Sequence, residues 1–389
     1  MSLHKQTQAI RLQTEQSSQM EHSTPLYLTS SFTFDTAEDM RAAFADETDD
    51  NIYSRYSNPT VDEFVKKMCV LEGAEAGIAT ASGMAAVFNS IFALLKTGDH
   101  LICCSSVFGS TYALVTKFLP RYGIECTLVS STKPEEWEAA VRLNTKMVYL
   151  ETPTNPQLEI IDLEWVGMFC KKHNIIFNVD NCFASPILQN PIDFGADIVS
   201  HSATKWIDGQ GRVLGGVVVG RTNLIREIYL FCRNTGPSMS AFNAWVLSKS
   251  LETLDVRMER HCNNAFEIAT KLEKNEKVAW VKYPFLQSHP QYNVAIKQMK
   301  KGGGVLCFEL KGGVESGRKF LDALELLSMT PNLGDTRSIA SHPTSTTHSK
   351  LSEVERLSIG ISPGLIRISA GLENVNDILA DIEQALEKC

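Results

Sequence analysis

The sequence predicts an α/β protein, with a mostly parallel sheet domain covered by helices and a smaller α+β domain at the C-terminal end. Three observations predict it. Short apolar runs alternate with amphipathic stretches from about Ala76 to Gly220. After Ala241 the pattern becomes mainly helical, with only isolated strand-like runs. Finally, a chain of 389 residues that is 43% hydrophobic exceeds what one core usually serves, so about two domains are expected.

Residues 1–60 show little periodicity and read as an arm ending in Tyr53-Ser54-Arg55-Tyr56-Ser57-Asn58-Pro59. Such a segment buries little of itself, so it is expected to lie across a neighbouring subunit. Residues 61–250 form the expected α/β domain. Its strands are predicted at Gly77–Ala81, His100–Cys104, Glu125–Ser130, Met147–Glu151, Ile175–Val179, Ile198–His201 and Gly216–Val219. Helices are predicted between them at Gly83–Leu95, Ser110–Tyr122, Pro134–Leu143 and Leu163–His173. Alternation of this kind argues for parallel strands with helices on both faces, and places the site in loops at the strand ends. Residues 251–389 form the expected second domain. A helical pattern runs through Ala244–Leu272, followed by strand-like Val305–Leu310, a helix at Gly317–Leu327, a loop of Gly, Ser, Thr and His, a strand at Leu365–Ser369 and a final helix from Asn374. There is no internal repeat or low-complexity tract.

Composition narrows the function classes. Lys plus Arg number 37 against 45 Asp plus Glu, a net charge of −8 with no basic run, which argues against a nucleic-acid partner. Met1 to Gln19 lacks the apolar core of a signal peptide, and Asn89 and Ser90 interrupt the most apolar stretch, Ala85 to Leu95. No membrane association is expected. The ten cysteines show no Cys-x-x-Cys spacing and read as reduced thiols of a cytoplasmic protein.

Ser202-Ala203-Thr204-Lys205 follows an apolar strand and precedes the turn Asp208-Gly209-Gln210-Gly211-Arg212; Asp180 ends another apolar run 205 − 180 = 25 positions earlier. A lysine amine in that setting forms a Schiff base, and an aspartate holds a pyridine nitrogen protonated; together they describe a pyridoxal phosphate site. An unpaired carboxylate after Ile175 to Val179 would be costly, so Asp180 calls for such a partner. Ala81-Ser82-Gly83-Met84 lies where a strand hands over to a helix, offering backbone N–H groups to an anion. Taken alone, Ser82 reads as an ordinary helix cap; with the hydroxyls of Ser202 and Thr204 it completes a phosphate seat. Ser202 to Lys205 also fits the Ser-x-x-Lys signature of serine acyl-enzymes. That reading is the weaker one, because Lys96-Thr97-Gly98 precedes the motif and no Ser-Asp-Asn triplet exists.

Over nearly its whole length the chain resembles the cysteine and methionine metabolism family of pyridoxal phosphate enzymes. The resemblance is carried by Tyr53 to Thr60, Ala81 to Ala85, Glu151-Thr152-Pro153-Thr154-Asn155-Pro156, Val179-Asp180-Asn181, Ser202 to Lys205, and Leu365 to Glu373. It implies the aspartate-aminotransferase-like (type I) fold and pyridoxal 5'-phosphate as cofactor. Lys205 would carry the cofactor as a Schiff base, Asp180 would meet its ring nitrogen, and Asn155 its ring hydroxyl oxygen. Ser82, Gly83, Met84, Ser202 and Thr204 would hold the phosphate, joined by Tyr53 and Arg55 of a neighbouring subunit. Arg367, with Asn332, would bind the substrate carboxylate. Catalytic roles would fall to Lys205, Phe108 and Tyr53, with no metal. Sites shared in this way imply at least a dimer, and commonly a tetramer.

Two departures from the usual lyase pattern are informative. Phe108 stands where many relatives stack a tyrosine on the cofactor, and a phenyl ring stacks without donating a proton. Asn332 replaces a serine. With Asp208 to Val213, these features resemble the O-acylhomoserine sulfhydrylases. The implied reaction is γ-replacement, in which sulfide displaces the acyl group of an O-acylhomoserine to give homocysteine in methionine biosynthesis. The compact chain points to O-succinylhomoserine over O-acetylhomoserine. Cystathionine γ-synthase and methionine γ-lyase remain as alternatives.

Overall fold

Each of the seven apolar runs expected between 76 and 220 forms a strand in this computed structural model, which describes residues 3–131, 133–346, 349, 352–358 and 360–389. Residues 1 and 2 of the expected arm, and 347, 348, 350 and 351 of the loop expected before Leu365, lie outside the described residues. The strands are β1 (Ala76–Thr80), β2 (His100–Cys104), β3 (Glu125–Val129), β4 (Thr145–Glu151), β5 (Ile176–Asp180), β6 (Ile198–Ser202) and β7 (Gly216–Gly220). Their order is β1-β7-β6-β5-β4-β2-β3. The run from β6 to β3 is parallel, whereas β7 is antiparallel to both β6 and β1. Val148, Tyr149 and Leu150 are all fully buried, so β4 is covered on both faces and reads as a continuous apolar run without alternation. β4, β5 and β6 end side by side, with Glu151 paired to Asp180 and Asp180 to Ser200.

The helix expected over Ser110–Tyr122 is broken. A short α-helix, Gly109–Ala113, widens into a π turn, Leu114–Phe118, and tightens into a 3₁₀ turn, Leu119–Tyr122. Pro120 is the reason, since it has no N–H to donate and its ring clashes with the carbonyl one turn back. The helical stretch expected through Ala244–Leu272 is also two helices, Ala241–Leu251 and Leu254–Leu272. At the break, the Ser250 carbonyl accepts from Arg257 Nη2 at 3.0 Å. Helices at Pro59–Glu72 and Thr222–Thr235 add to those expected from the sequence.

Residues 5–27 lie largely on their own chain. Ala9, in the helix Lys5–Arg11, is buried; Thr14 and Thr24 donate to Glu63, and Trp245 donates to the Thr24 carbonyl. The stretch that follows is more open, with Leu28, Met40, Phe44 and Tyr53 exposed.

The second sheet adds β8 (Val278–Lys282), β9 (Val305–Leu310), β10 (Ser328–Met329), β11 (Ile339–Ser341) and β12 (Leu365–Ser369), in the order β10-β11-β12-β9-β8. Helix Leu254–Leu272 links the two layers: Leu254, Met258 and Cys262 enter the large sheet's core, whereas Ala265, Ile268 and Leu272 enter the core beside the second sheet.

A buried polar cluster fixes β5 and β6 against helix Pro59–Glu72. The Glu72 carboxylate accepts from His201 Nε2 at 2.5 Å, Asn181 Nδ2 at 2.8 Å and Asn190 Nδ2 at 3.3 Å. Removing one acceptor strands several donors away from water. Glu72→Leu is therefore expected to lower stability by about 2–4 kcal/mol, read as a lower thermal midpoint in calorimetry; an unchanged midpoint would contradict this.

Candidate active site

Lys205 and Asp180 reach one place because they follow adjacent strands. Beyond β6 the chain folds into a tight turn in which Lys205 N–H donates to Ser202 O at 3.2 Å and Gly209 N–H to Lys205 O at 2.9 Å. The buried Arg257 donates to the carbonyls of Trp206 (2.6 Å) and Ile207 (3.2 Å), while Trp206 Nε1 donates to Phe183 O at 3.0 Å. Asp208, itself fully buried, closes the glycine turn by accepting from Arg212 Nε at 3.0 Å. The backbone on the C-terminal side of Lys205 is thus held at three points.

The amine of Lys205 donates to Asn332 Oδ1 at 2.5 Å. Burial pushes this amine below the ordinary lysine range; the Arg367 charge adds to the effect, and Cys182 opposes it. Asn332 comes this close because Gly334, at φ +79°, lies against the Lys205 and Trp206 backbone, where a Cβ would meet Trp206 N at 2.7 Å. Arg367 lies beside them on β12. Its Nη1 donates to Asn155 Oδ1 at 3.0 Å, and its Nη2 donates to the carbonyls of Asn332 (2.9 Å) and Pro331 (3.3 Å). Arg367 Nε is buried without an acceptor, and burial lowers the guanidinium to about 10. A guanidinium with both Nη atoms tethered and its Nε unmet suits an incoming carboxylate.

Asp180 Oδ1 accepts from Cys182 N–H at 3.0 Å, and Oδ2 accepts from the Tyr149 hydroxyl at 3.3 Å. Its neighbour Glu151 accepts the Phe108 N–H at 2.8 Å. Burial raises both carboxylates, and the Asp180 charge pushes Glu151 higher still. Asp180 is drawn back by the Cys182 N–H, His201 and Tyr149, so it is the better equipped of the two to be an anion. Phe108 is no core aromatic: it is 46% exposed at the start of helix Gly109–Ala113.

Ser82 caps helix Gly83–Phe92, accepting from Ala85 N–H at 3.2 Å. The N–H groups of Gly83 and Met84 stand in the first turn, where no intrahelical acceptor exists. A Cβ at Gly83 would fall 2.5 Å from Ser202 Cβ and 2.7 Å from its Oγ. The helix start and the Ser202 hydroxyl therefore share one cradle, which a larger side chain would fill. The Thr204 hydroxyl bridges to Gly215, accepting from its N–H at 3.1 Å.

The structure thus gathers Lys205, Asn332, Arg367, Asn155, Asp180 and Phe108 beside the cradle of Ser82, Gly83, Met84 and Ser202. Tyr53 and Arg55 stand apart. Arg55 donates to the Arg233 carbonyl and lies over the Tyr56 ring at 4.8 Å. Among the described residues, no hydrogen bond joins either of them to the cluster. Tyr149 and Glu151 face Asp180 yet had no assigned role; their two-residue spacing on one strand was the signal that put them on its side.

The sequence from residue 6 to 387 matches the profile of the Cys/Met metabolism PLP-dependent enzymes. The chain belongs to this family. It is 43% identical over 380 residues to an O-succinylhomoserine sulfhydrylase of Pseudomonas aeruginosa, covering 98% of this chain and 94% of that protein. It is 45% identical over 367 residues to an L-methionine gamma-lyase of Porphyromonas gingivalis, covering 94% and 92% respectively. Among solved structures, a Campylobacter jejuni protein assigned as an O-acetylhomoserine (thiol)-lyase superposes with a TM-score of 0.95 at 34% identity, over 99% of this chain and all of that one. That structure carries N'-pyridoxyl-lysine-5'-monophosphate at its position 205.

The fold is that of the type I pyridoxal phosphate enzymes, and the cofactor is pyridoxal 5'-phosphate. The glycine-lined cradle, the buried acid and the lysine fit this group. Because burial favours the neutral Lys205 amine, covalent capture of pyridoxal phosphate by the apoprotein is expected to rise with pH and level off at a lower pH than capture by free lysine. Stopped-flow absorbance of the bound cofactor measures this; a midpoint at or above that of free lysine would contradict it.

Proposed function

We propose that this enzyme catalyses γ-replacement on O-succinylhomoserine, with sulfide entering as succinate leaves to give homocysteine. The observation that carries the reading is Phe108, partly exposed, its backbone N–H held by Glu151 at the end of β4, with no proton to give. A carboxylate leaves the γ-carbon without a general acid, whereas a thiolate gains from one.

The α-carboxylate of the substrate is bound by the unmet Nε of Arg367, oriented by the contacts of Arg367 with Asn155, Pro331 and Asn332. The bound cofactor supplies an electron sink. Asp180 meets the ring nitrogen, Asn155 the ring hydroxyl oxygen, and the Ser82–Met84 cradle, with Ser202 and Thr204, the phosphate. Lys205 Nζ takes the α-proton and delivers protons within its reach, and burial, which lowers its proton affinity, favours the free-base form this requires. Phe108 stacks on the ring. Tyr53 and Arg55, which lie away from their own cluster, serve a neighbouring subunit's phosphate seat in a homo-oligomer, a dimer or a tetramer of paired dimers. The compact chain, spanning 94% of the Pseudomonas aeruginosa sulfhydrylase, favours the succinyl ester.

The 45% identity with the Porphyromonas gingivalis protein supports a second reading, methionine γ-elimination. Purified holoenzyme given O-succinylhomoserine or O-acetylhomoserine with sulfide or cysteine, and methionine alone, separates the readings. The expected order is succinyl ester with sulfide first, by at least about tenfold in kcat/KM. Equal or faster turnover of methionine would overturn the proposal, and preference for cysteine would make the enzyme a cystathionine γ-synthase. Phe108→Tyr is expected to raise methionine elimination by about tenfold or more, the low end of what a positioned acid contributes. No gain in ammonia release would refute the role given to this position.

A further inference from the structure

β4 places two polar side chains on the face that meets Asp180. Tyr149 is fully buried, with its Cα opposite Asn178 on β5, two residues before Asp180. Its hydroxyl donates to Asp180 Oδ2 at 3.3 Å. Thr111, a buried residue of helix Gly109–Ala113, has its hydroxyl 3.9 Å from Met84 Sδ. Two positions further along β4, Glu151 accepts the N–H of Phe108, at the start of that helix. One strand therefore touches the acid through Tyr149 and holds the start of the Phe108 turn through Glu151.

A buried phenol needs an acceptor, and a carboxylate elsewhere would satisfy it equally well. The placement here is more specific. Asp180 Oδ1 already has the Cys182 N–H, so Tyr149 supplies the side-chain donor on the other oxygen. Glu151 from β4, Cys182 after β5 and His201 from β6 are the other titratable groups acting on Asp180. Of these, Glu151 and Cys182 are acids whose neutral forms burial favours, and neither offers the carboxylate a cation.

We propose that Tyr149 is a positioning residue for the cofactor: its hydroxyl fixes the Asp180 carboxylate as the anion that meets the ring nitrogen. The inference rests on the assignment of Asp180 to the ring nitrogen and is independent of which amino acid is the substrate. Without this donor the carboxylate competes better for the shared proton, and the ring becomes a weaker electron sink.

Tyr149→Phe removes one oxygen and keeps the ring. Holoenzyme of this variant, loaded with pyridoxal phosphate isotopically labelled at the ring nitrogen, is expected to show that nitrogen's resonance displaced toward unprotonated pyridine. Its kcat is expected to fall about three- to tenfold with KM within about twofold, the size of one ordinary intramolecular hydrogen bond. A ring-nitrogen resonance identical to that of the unaltered enzyme overturns the proposal, whatever the activity. Should Tyr149→Phe not accumulate as folded protein, Tyr149→Leu, which also lacks the hydroxyl and keeps an apolar side chain at this buried position, carries the same readout, with a displacement in the same direction expected. Failure of the γ-replacement reading would appear in the substrate series and leave this resonance untouched.

Discussion

A carboxylate withdrawn from water at the end of β5 is the constraint that the rest of the site answers. Asp180 is buried on a strand end between two others, and burial raises its proton affinity. The Cys182 N–H and the Tyr149 hydroxyl offset that penalty in part, and in the proposed assignment a cationic ring nitrogen would complete the compensation. The same burial acts oppositely on Lys205, favouring its neutral amine. One dry pocket therefore calls for a cation at the acid and keeps a nucleophile at the lysine, which is the pair of states that pyridoxal chemistry requires.

Arg367 shows the same economy on the substrate side. Two of its nitrogens are tethered to Asn155 and to the Pro331 and Asn332 carbonyls, so the side chain is oriented before any ligand arrives. Its Nε, buried and unmet, is a standing cost that an incoming carboxylate relieves. Asn332 serves both ends, accepting from Lys205 by its side chain and from Arg367 by its backbone. Asn332 thus links the Lys205 amine to Arg367, the side chain proposed to seat the substrate carboxylate.

Most of the large sheet was legible because strands covered on both faces must be largely apolar, as β2 and β7 are, whereas β3, with Glu125 exposed, and β6, ending in Ser200, His201 and Ser202, carry more polar residues. β10 and β11 were not, being two and three residues long and below the length at which periodicity means anything. The split helices failed for different reasons. Pro120 was visible in the sequence, whereas the break after Leu251 depends on Arg257 reaching carbonyls of the Lys205 turn, a contact made only by the fold. In the site, Lys205, Asp180 and the Ser82 cradle were readable from motif chemistry. Tyr149 and Glu151 were not, since an interior strand reads as packing until its neighbours are known.

Position 108 bears on the choice between replacement and elimination more directly than overall likeness does. Identities of 43% to a sulfhydrylase and 45% to a lyase are the same in practice, because both reactions use the same sink, base and carboxylate seat. They part only at the γ-carbon, where one expels a carboxylate and the other a thiolate. A carboxylate is stable as it departs; a thiolate, with a much higher proton affinity, gains from a proton delivered as the bond breaks. In the proposed reaction the side chain at issue is the one at the start of helix Gly109–Ala113, a partly exposed phenyl ring whose backbone N–H Glu151 accepts. A phenyl ring has no acidic proton to give, which is why the proposed leaving group is the one that needs none.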